Sequence, residues 1–381
     1  MTSAILQSVS GPVVKARRTG PLSVGEAVAV GPGRLLGEVV RVSSDACTIQ
    51  VYEETTGLRF GDEIEGSGQP LSVKLGPGLL GNIFDGLLRP LRAGSEAVRY
   101  RVIPLVEPGA TVTAGQHLAR IEGPAKEQLA LVPQDLAEGA LTWIESGEVG
   151  EADRVARVTL PDGTEREIGL IQHWPVRQPR PVRQRLRPTK MMVTGQRILD
   201  SLFPIARGGR AAIPGGFGTG KTVLQETLAK WCDADVIVYV GCGERGNEMA
   251  EVLHEFPELE DPRTGRPLME RTVVIANTSN MPVAAREASI YTGVTVGEYF
   301  RDMGLNVTLM ADSTSRWAEA LREVSGRLGE LPSESGYPAY LSSRLSEFYE
   351  RAARVETLGG QKGSLTLIGA VSPPAGDFSN P

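Results

Sequence analysis

The chain has 381 residues, of which 41% are hydrophobic and 23% charged, and its formal net charge is −6. This length favours two or three domains over one core, and the acidic balance argues against a protein that coats nucleic acid with a generally basic surface. No run approaches the roughly 18 consecutive apolar residues of a membrane-spanning helix, and residues 1–14 lack the pattern of a secretory signal. We therefore expect a cytoplasmic protein that reaches a membrane only through partners.

Cysteine and histidine usage is sparse. The chain carries three of each, without C-x-x-C spacing: Cys47, Cys232, Cys242, His117, His173 and His254. The pattern predicts neither a disulfide framework nor a zinc site. Packing in the core is the expected role of all six.

The first part of the chain, residues 1–75, contains short strand-like runs separated by turn residues. In residues 46–52, Cys47, Ile49 and Val51 alternate with polar neighbours, the period of a half-buried strand. These runs predict a small N-terminal β-barrel. Residues 76–91, rich in glycine and proline, are predicted to be a connection.

Residues 92–188 are predicted to be a β-rich insertion followed by a proline- and arginine-rich linker. The run at 106–122 resembles half of a biotinyl- or lipoyl-type barrel, but the nearby Lys126 sits one residue late and lacks flanking methionines. We expect a scaffold without a prosthetic group. In the linker, 172–188, the prolines favour an extended path. The linker contains five arginines and is expected to be solvated, with some of the arginines pairing with neighbouring acids; phosphate binding is the alternative.

Strand and helix patterns alternate in residues 189–381, which indicates a mainly parallel sheet in a nucleotide-binding domain. Strands are predicted at 210–213, 236–240, 272–276, 307–311 and 364–371. Helices are predicted at 222–231, 247–256, 283–303, 315–328 and 339–355.

A glycine-rich motif follows the first of these strands. Residues 215–222 match G-x-x-x-x-G-K-[ST], a loop whose backbone N–H groups cradle phosphates at a helix N-terminus. Lys221 is predicted to reach the β- and γ-phosphates, and the Thr222 hydroxyl to bind Mg²⁺. The alternative is a strand-to-helix turn that binds nothing. The predicted nucleotide-binding residues are Gly215, Gly216, Phe217, Gly218, Thr219, Gly220, Lys221, Thr222 and Val223.

Three further charged residues complete the predicted hydrolytic site. Asp312 ends the apolar strand at 307–311, as a Walker B carboxylate that binds Mg²⁺ does. Glu244 is placed to activate a water, and Arg245 to neutralise charge on the γ-phosphate. The alternative for Glu244 and Glu248 is a pair of helix N-terminal acids.

Arg286, near the start of a predicted helix, is the last charged candidate. Arg286 either supports the site or forms an ion pair, and the sequence favours neither role over the other.

Four motifs together resemble the catalytic A (alpha) subunit of V/A-type rotary ATPases. They are GGFGTGKTV at 215–223, GCGERGNEM at 241–249, ANTSNMPVAAREAS at 276–289 and MADSTSRWAEAL at 310–321. The runs QVYEETTG at 50–57 and HWPVRQPRP at 173–181 extend the resemblance over nearly all the chain. It implies an α/β fold with a RecA-like P-loop NTPase core, preceded by the β-barrel and the β-rich insertion.

The resemblance also implies a function. The chain would synthesise or hydrolyse ATP, with ATP or ADP and Mg²⁺ bound, in a hexamer that alternates with a homologous B subunit. It would work with central and peripheral stalk subunits and, through them, a membrane rotor that moves H⁺ or Na⁺. It assigns the catalytic roles to Lys221, Glu244 and Arg245 and the metal roles to Thr222 and Asp312, with an arginine supplied in trans by the B subunit. No nucleic acid is expected.

Two departures from the family pattern carry expectations of their own. The insertion is shorter than usual just after residues 89–91, which affects contacts with peripheral stalk partners. The chain stops at residues 376–381, where family members continue into a helical C-terminal domain. A molecule without that part is expected to bind nucleotide weakly and to be unable to turn a rotor.

Two other functions fit parts of the sequence. A Rho-like ring ATPase that translocates on nucleic acid is favoured by the arginine-rich linker and opposed by the acidic charge and the 5% aromatic content. A nucleotide-binding but non-catalytic ring subunit would be expected to lack Lys221 or Glu244, and both are present.

Overall fold

The computed structural model describes residues 2–91, 98–216, 218–246, 254, 256–373 and 376–378. Its first unit is a closed barrel of six antiparallel strands in the order β1-β2-β5-β4-β3-β6. The strands are β1 (Thr2–Ser10), β2 (Val13–Arg18), β3 (Glu26–Val30), β4 (Leu35–Val42), β5 (Ala46–Val51) and β6 (Glu63–Pro70). The alternating Cys47, Ile49 and Val51 point into the barrel core, as their spacing predicts. The predicted barrel is confirmed.

The connection that follows does more than link two units. It contains β7 (Ser72–Leu75), a 3₁₀ turn (Pro77–Leu79) and β8 (Ile83–Phe84). Ile83 and Phe84 pair in parallel with Val274 and Ile275. The connection therefore supplies an edge strand to the large sheet of the C-terminal part of the chain.

The insertion folds as two four-stranded antiparallel sheets, in the orders β10-β13-β15-β16 and β12-β11-β9-β14. The strands are β9 (Arg99–Pro104), β10 (Thr111–Thr113), β11 (His117–Glu122), β12 (Gln128–Leu131), β13 (Glu138–Ile144), β14 (Gly147–Gly150), β15 (Arg154–Thr159) and β16 (Glu165–Gly169). Lys126 lies between β11 and β12, and its ammonium group contacts the Asp235 carboxylate at 3.2 Å. This lysine thus ties the insertion to the nucleotide-binding part.

The linker is only partly the solvated segment that its composition predicts. It starts with β17 (Gln172–Pro175), which pairs with β7, and Arg183, Arg185 and Arg187 are exposed. Arg180, by contrast, has a fully buried side chain, and its guanidinium lies 2.7 Å from the Asp302 carboxylate. Arg177 bonds Glu38 at 3.1 Å and Glu287 at 2.8 Å. The expected pairing of some arginines with acids is confirmed for these two. The expectation of a solvated segment is wrong for them, because buried acids of other elements face them.

The C-terminal part contains an eight-stranded sheet in the order β18-β25-β26-β24-β22-β23-β8, with β21 paired to β26. Its strands are β18 (Gln184–Leu186), β21 (Arg210–Pro214), β22 (Val236–Glu244), β23 (Thr272–Thr278), β24 (Asn306–Asp312), β25 (Ala353–Glu356) and β26 (Lys362–Val371), and β19 (Met191–Met192) and β20 (Ile205–Ala206) form a separate pair. β21, β26, β24, β22, β23 and β8 run parallel. The predicted mainly parallel α/β fold is confirmed.

Helices cover both faces of this sheet. They are α1 (Arg197–Leu202), α2 (Lys221–Trp231), α3 (Val283–Asp302), α4 (Thr314–Arg327) and α5 (Leu341–Glu350). Ile237 and Tyr239 of β22 pack with Leu228 of α2, whereas Val238 and Val240 pack on the other face with α3 and α4. Because both faces are covered there, the central strands β22, β23 and β24 are buried along nearly their whole length rather than alternating.

The predicted helix at 339–355 is too long. The observed helix ends at Glu350, and Ala353–Glu356 is instead β25, antiparallel to β26. In β25, the buried Ala353 and Val355 alternate with the half-buried Arg354 and Glu356, which is the period of a strand. The helical spacing of the apolar residues before them led to the longer predicted helix. The predicted helix at 247–256 falls almost entirely outside the described residues.

The predicted core roles of the cysteines and histidines divide by residue type. All three cysteines are buried and free. His117 is half-buried, and burial lowers its pKa. His173 and His254 are exposed, so the core prediction is wrong for them.

Candidate functional site

The glycine-rich loop spans the gap between β21 and α2. The Gly215 N–H donates to the Val371 carbonyl at 3.0 Å, which anchors the start of the loop to β26. Gly218 and Gly220 have φ of +77° and +81°, values that residues with a Cβ rarely adopt. The loop therefore turns tightly into the N-terminus of α2, which begins at Lys221.

Two side chains of the loop donate hydrogen bonds to the loop's own backbone. The Lys221 ammonium group donates to the carbonyls of Gly215 and Gly216 at 2.8 and 2.7 Å, and the Thr219 hydroxyl donates to the Gly216 carbonyl at 2.9 Å. Lys221 is thereby held against the start of the loop. Val223, by contrast, is 64% exposed. Phe217 lies outside the described residues.

Thr222 and Asp312, the two predicted metal ligands, are in contact. The Thr222 hydroxyl donates to Asp312 Oδ2 at 2.7 Å, although 90 residues separate them. Asp312 is the last residue of β24, and the parallel pairing of β21, β26 and β24 brings the carboxyl ends of these strands to one edge. Asp312 is only 3% exposed. The fold thus joins the loop to the predicted Walker B carboxylate.

A third member of this contact was not predicted from the sequence. The buried Tyr239 hydroxyl donates to the same Oδ2 of Asp312 at 3.2 Å. Burial raises the pKa of this phenol well above its ordinary value, and the nearby Asp312 carboxylate acts in the same direction. Tyr239 is therefore a protonated donor.

Glu244 and Arg245 lie at the same edge of the sheet. β22 runs to Glu244 rather than ending at Val240 as predicted, because its pairing with β23 continues through an irregularity to Glu244 opposite Thr278. The Ser279 N–H donates to the Glu244 carbonyl at 2.9 Å. Glu244 ends β22, and Gly246 two residues later is helical, so the alternative of Glu244 as an acid at a helix N-terminus stays open. Glu248 lies outside the described residues. Arg245 is exposed.

Arg286 packs against the residue before Glu244. Its guanidinium donates to the Ser279 carbonyl at 3.0 Å. A Cβ at Gly243 would lie 2.5 Å from Arg286 Cδ and Nε, so the two segments are in direct contact. Of the two predicted roles, this placement favours support of the site.

The donor set fits magnesium bound together with phosphate. Thr222 and Asp312 offer a hydroxyl and a carboxylate oxygen, the hard ligands that Mg²⁺ prefers. Among the described residues, there is no group of three or more His, Cys, Asp or Glu side chains that could hold a metal ion. Mg²⁺ in proteins is often bound by one or two side chains together with substrate phosphates.

Three family models match successive parts of the chain. Each model describes a domain of the ATP synthase alpha/beta family or subunit. The β-barrel domain matches residues 6–68, the barrel-sandwich domain residues 92–177 and the nucleotide-binding domain residues 195–381.

Individual relatives are more specific. The V-type ATP synthase alpha chain of Anaeromyxobacter sp. (strain K) is 55% identical over 100% of this chain and 68% of its own length. The chain belongs to the V/A-type ATP synthase alpha (A) subunit family. The corresponding chain of the A-type ATP synthase of Methanopyrus kandleri, 54% identical over 98% of this chain and 66% of its own length, agrees.

The V/A-type subunit is accordingly a catalytic subunit of a rotary ATPase, which couples ATP synthesis or hydrolysis to ion transport. A solved structure of the assembled ATPase EscN from the enteropathogenic E. coli type III secretion system is similar in fold, with a TM-score of 0.69 and 25% identity, over 99% of this chain and 72% of that one. The family resemblance and the RecA-like core predicted from sequence are confirmed.

Across the described residues, no helix is long and apolar enough to span a membrane.

Proposed function

We propose that this catalytic subunit binds the phosphates of ATP in the loop 215–222, with Lys221 against the β- and γ-phosphates and residues 215–223 as the nucleotide-binding segment. The observation that carries the proposal is the 2.7 Å contact between Thr222 and Asp312. It joins the loop to a carboxylate on another strand, which a turn that binds nothing would not require. The N-terminus of α2 favours the same ligand, since its N–H groups and dipole attract anions.

Thr222 and Asp312 are the residues that would hold Mg²⁺. When bound, the metal neutralises negative charge on the phosphates and orients them. Asp312 lies in a nearly water-free position, where its charge acts over a low dielectric. Thr222, fixed by α2, sets the distance from this carboxylate to the phosphate loop.

Glu244 is the proposed general base. As the last residue of β22 it projects from the same sheet edge as Asp312, and the Ser279 N–H fixes its backbone. A carboxylate there would orient a water and accept its proton as the water attacks the γ-phosphate. Arg245, exposed beside it, would stabilise the charge that develops on the transferred phosphoryl group.

The site is proposed to be completed by a neighbouring subunit. Large apolar side chains in and just after α1, and at the residue that follows the loop, are mostly exposed: Ile198 62%, Leu202 66%, Phe203 66% and Val223 64%. Exposed apolar patches mark protein interfaces. We therefore propose that a homologous B subunit covers these exposed side chains in an alternating hexamer and supplies an arginine in trans, with stalk subunits holding the ring peripherally at the membrane.

We also propose the limits of the structural units along the chain. Residues 1–75 would form the barrel unit, 76–91 a connection, 92–188 the insertion with its linker, and 189–381 the nucleotide-binding unit. The closed barrel over β1 to β6 and the separate cores of the insertion support these limits.

Replacing Glu244 tests the proposed chemistry. In the assembled complex, Glu244→Gln should leave ATP affinity near the wild-type value, because the amide keeps the shape of the side chain. Turnover should fall about a hundredfold or more, since a general base contributes roughly 10²–10⁴ in rate. Binding is measured at equilibrium and turnover by phosphate release.

Glu148→Gln, which removes an exposed carboxylate from the insertion, is the matched control and should change neither quantity. Near-normal turnover of Glu244→Gln would remove Glu244 from its role.

A further inference from the structure

Tyr239 is buried beside the proposed metal site and has no part in the mechanism above. It is 1% exposed, and its hydroxyl reaches Asp312 Oδ2 at 3.2 Å. The same oxygen accepts the Thr222 hydroxyl at 2.7 Å. Two donors from different elements, β22 and α2, thus converge on one carboxylate oxygen.

The register of the sheet explains how the contact arises. On β22 and β24, Tyr239 is opposite Met310, and Gly241 is opposite Asp312. Tyr239 and Asp312 are therefore diagonal neighbours on one face, within the reach of a long aromatic side chain. Gly241, the residue directly opposite Asp312, has no side chain that could come between the phenol and the carboxylate. The Tyr239-x-Gly241 spacing on the strand next to the Walker B strand is the sequence signal.

The ring of Tyr239 is itself held in place. It packs against Phe256 with ring centroids 5.3 Å apart, and Ile237 and Leu228 belong to the same buried cluster. The hydroxyl therefore has little freedom to leave Asp312. A fixed donor of this kind restrains a carboxylate's rotation more effectively than a mobile one.

We propose that Tyr239 is a positioning residue for magnesium-dependent nucleotide binding: its hydroxyl fixes the orientation of the Asp312 carboxylate relative to Thr222. The inference rests on the proposed metal role of Asp312 and adds a residue that touches neither nucleotide nor metal. It assigns to Tyr239 the part that outer hydrogen-bond partners play at other metal sites, where they orient the ligands.

Tyr239→Phe tests this, because it removes the hydroxyl and keeps the ring. Affinity for ADP is measured on the full chain in its assembled complex, by competition against a fluorescent ADP analogue, with Mg²⁺ and again with EDTA. We expect the affinity in Mg²⁺ to fall about threefold to tenfold, the size of one lost hydrogen bond of ordinary strength, and the affinity in EDTA to stay unchanged. An equal loss in both conditions would indicate a packing role and overturn the inference, as would no change in either.

Tyr291→Phe is the matched control. Tyr291 is also buried, and its hydroxyl has no hydrogen-bond partner in the part of the chain that the structure describes. Its removal should leave both affinities unchanged, which separates the Asp312 contact from the general effect of losing a buried phenol.

Asp312→Asn separates the two proposals. If it leaves the effect of Mg²⁺ on ADP affinity unchanged, the metal role of Asp312 fails and the positioning role fails with it. If it removes that effect while Tyr239→Phe does not, only the positioning role fails.

Discussion

Gly243 illustrates how one residue shapes the end of β22. Its φ is +82°, and a Cβ there would lie 2.5 Å from Arg286 Cδ and Nε. Gly243→Ala should therefore strain the backbone directly before Glu244 and displace Arg286. We expect turnover of the assembled complex to fall about tenfold or more, since small misplacements at a reacting centre are costly.

Gly163→Ala is the control for backbone strain alone. Gly163 has a similar φ of +84°, in a turn with no described atom within 4 Å of the added Cβ. It should lower stability by about 1–2 kcal/mol and leave turnover unchanged. Equal turnover of the two alanine variants would show that the contact with Arg286 has no catalytic consequence.

At the residue scale, motif spacing predicted that Thr222 and Asp312 act at one site, but it did not predict the contact of Tyr239 with Asp312. Thr222 and Asp312 were both predicted as metal ligands, and their side chains do meet. The spacing works because a loop at the end of one parallel strand and an acid at the end of another come to the same sheet edge. Tyr239 was not predicted, because the Tyr239-x-Gly241 spacing gains its meaning only from the register between β22 and β24, which the spacing itself does not encode.

At the element scale, Arg177 joins three parts of the chain. From the linker, it bonds Glu38 of β4 and Glu287 of α3, and both carboxylates are largely buried. Arg177→Met would leave these two acids without their cation. We expect the free energy of unfolding to fall by about 3–5 kcal/mol, because breaking a buried pair leaves uncompensated charge. Chemical denaturation followed by circular dichroism measures this.

Arg183→Met is the matched control in the same linker. Arg183 is 60% exposed and pairs with Glu356 at the surface. Exposed pairs contribute about 0–1 kcal/mol, so this variant should remain close to the wild type. If the two variants were equally stable, the buried contacts of Arg177 would have no structural importance.

The linker also shows which properties of an element could not be predicted from its own sequence. Proline spacing predicted an extended path, and β17 and β18 are indeed strands within it. Which arginines are buried depends on α3, whose polar residues Glu287, Glu298 and Asp302 are all buried in the structure. Such pairing joins residues more than 100 positions apart, beyond the reach of periodicity. The over-long prediction for α5 failed similarly, since only pairing with β26 reveals β25.

At the scale of the whole molecule, the order of units could be predicted and their contacts could not. The change from strand-rich to alternating patterns near residue 189 predicted an α/β part after two β-rich ones. The contact of Lys126 with Asp235 and the pairing of β8 with β23 could not be predicted, because each joins segments from different units. These contacts hold the insertion and the connection against the large sheet that carries the site.

The most direct test is the structure of the assembled complex bound to ADP and Mg²⁺, determined by electron cryo-microscopy. We expect the phosphates to lie against the loop 215–222, the metal to lie beside Thr222 and Asp312, and an arginine of a neighbouring subunit to approach the nucleotide. Because the loop and Asp312 are already joined by the Thr222 contact, little rearrangement of either should be needed. Nucleotide bound away from the loop, or a metal that contacts neither Thr222 nor Asp312, would contradict the proposed site.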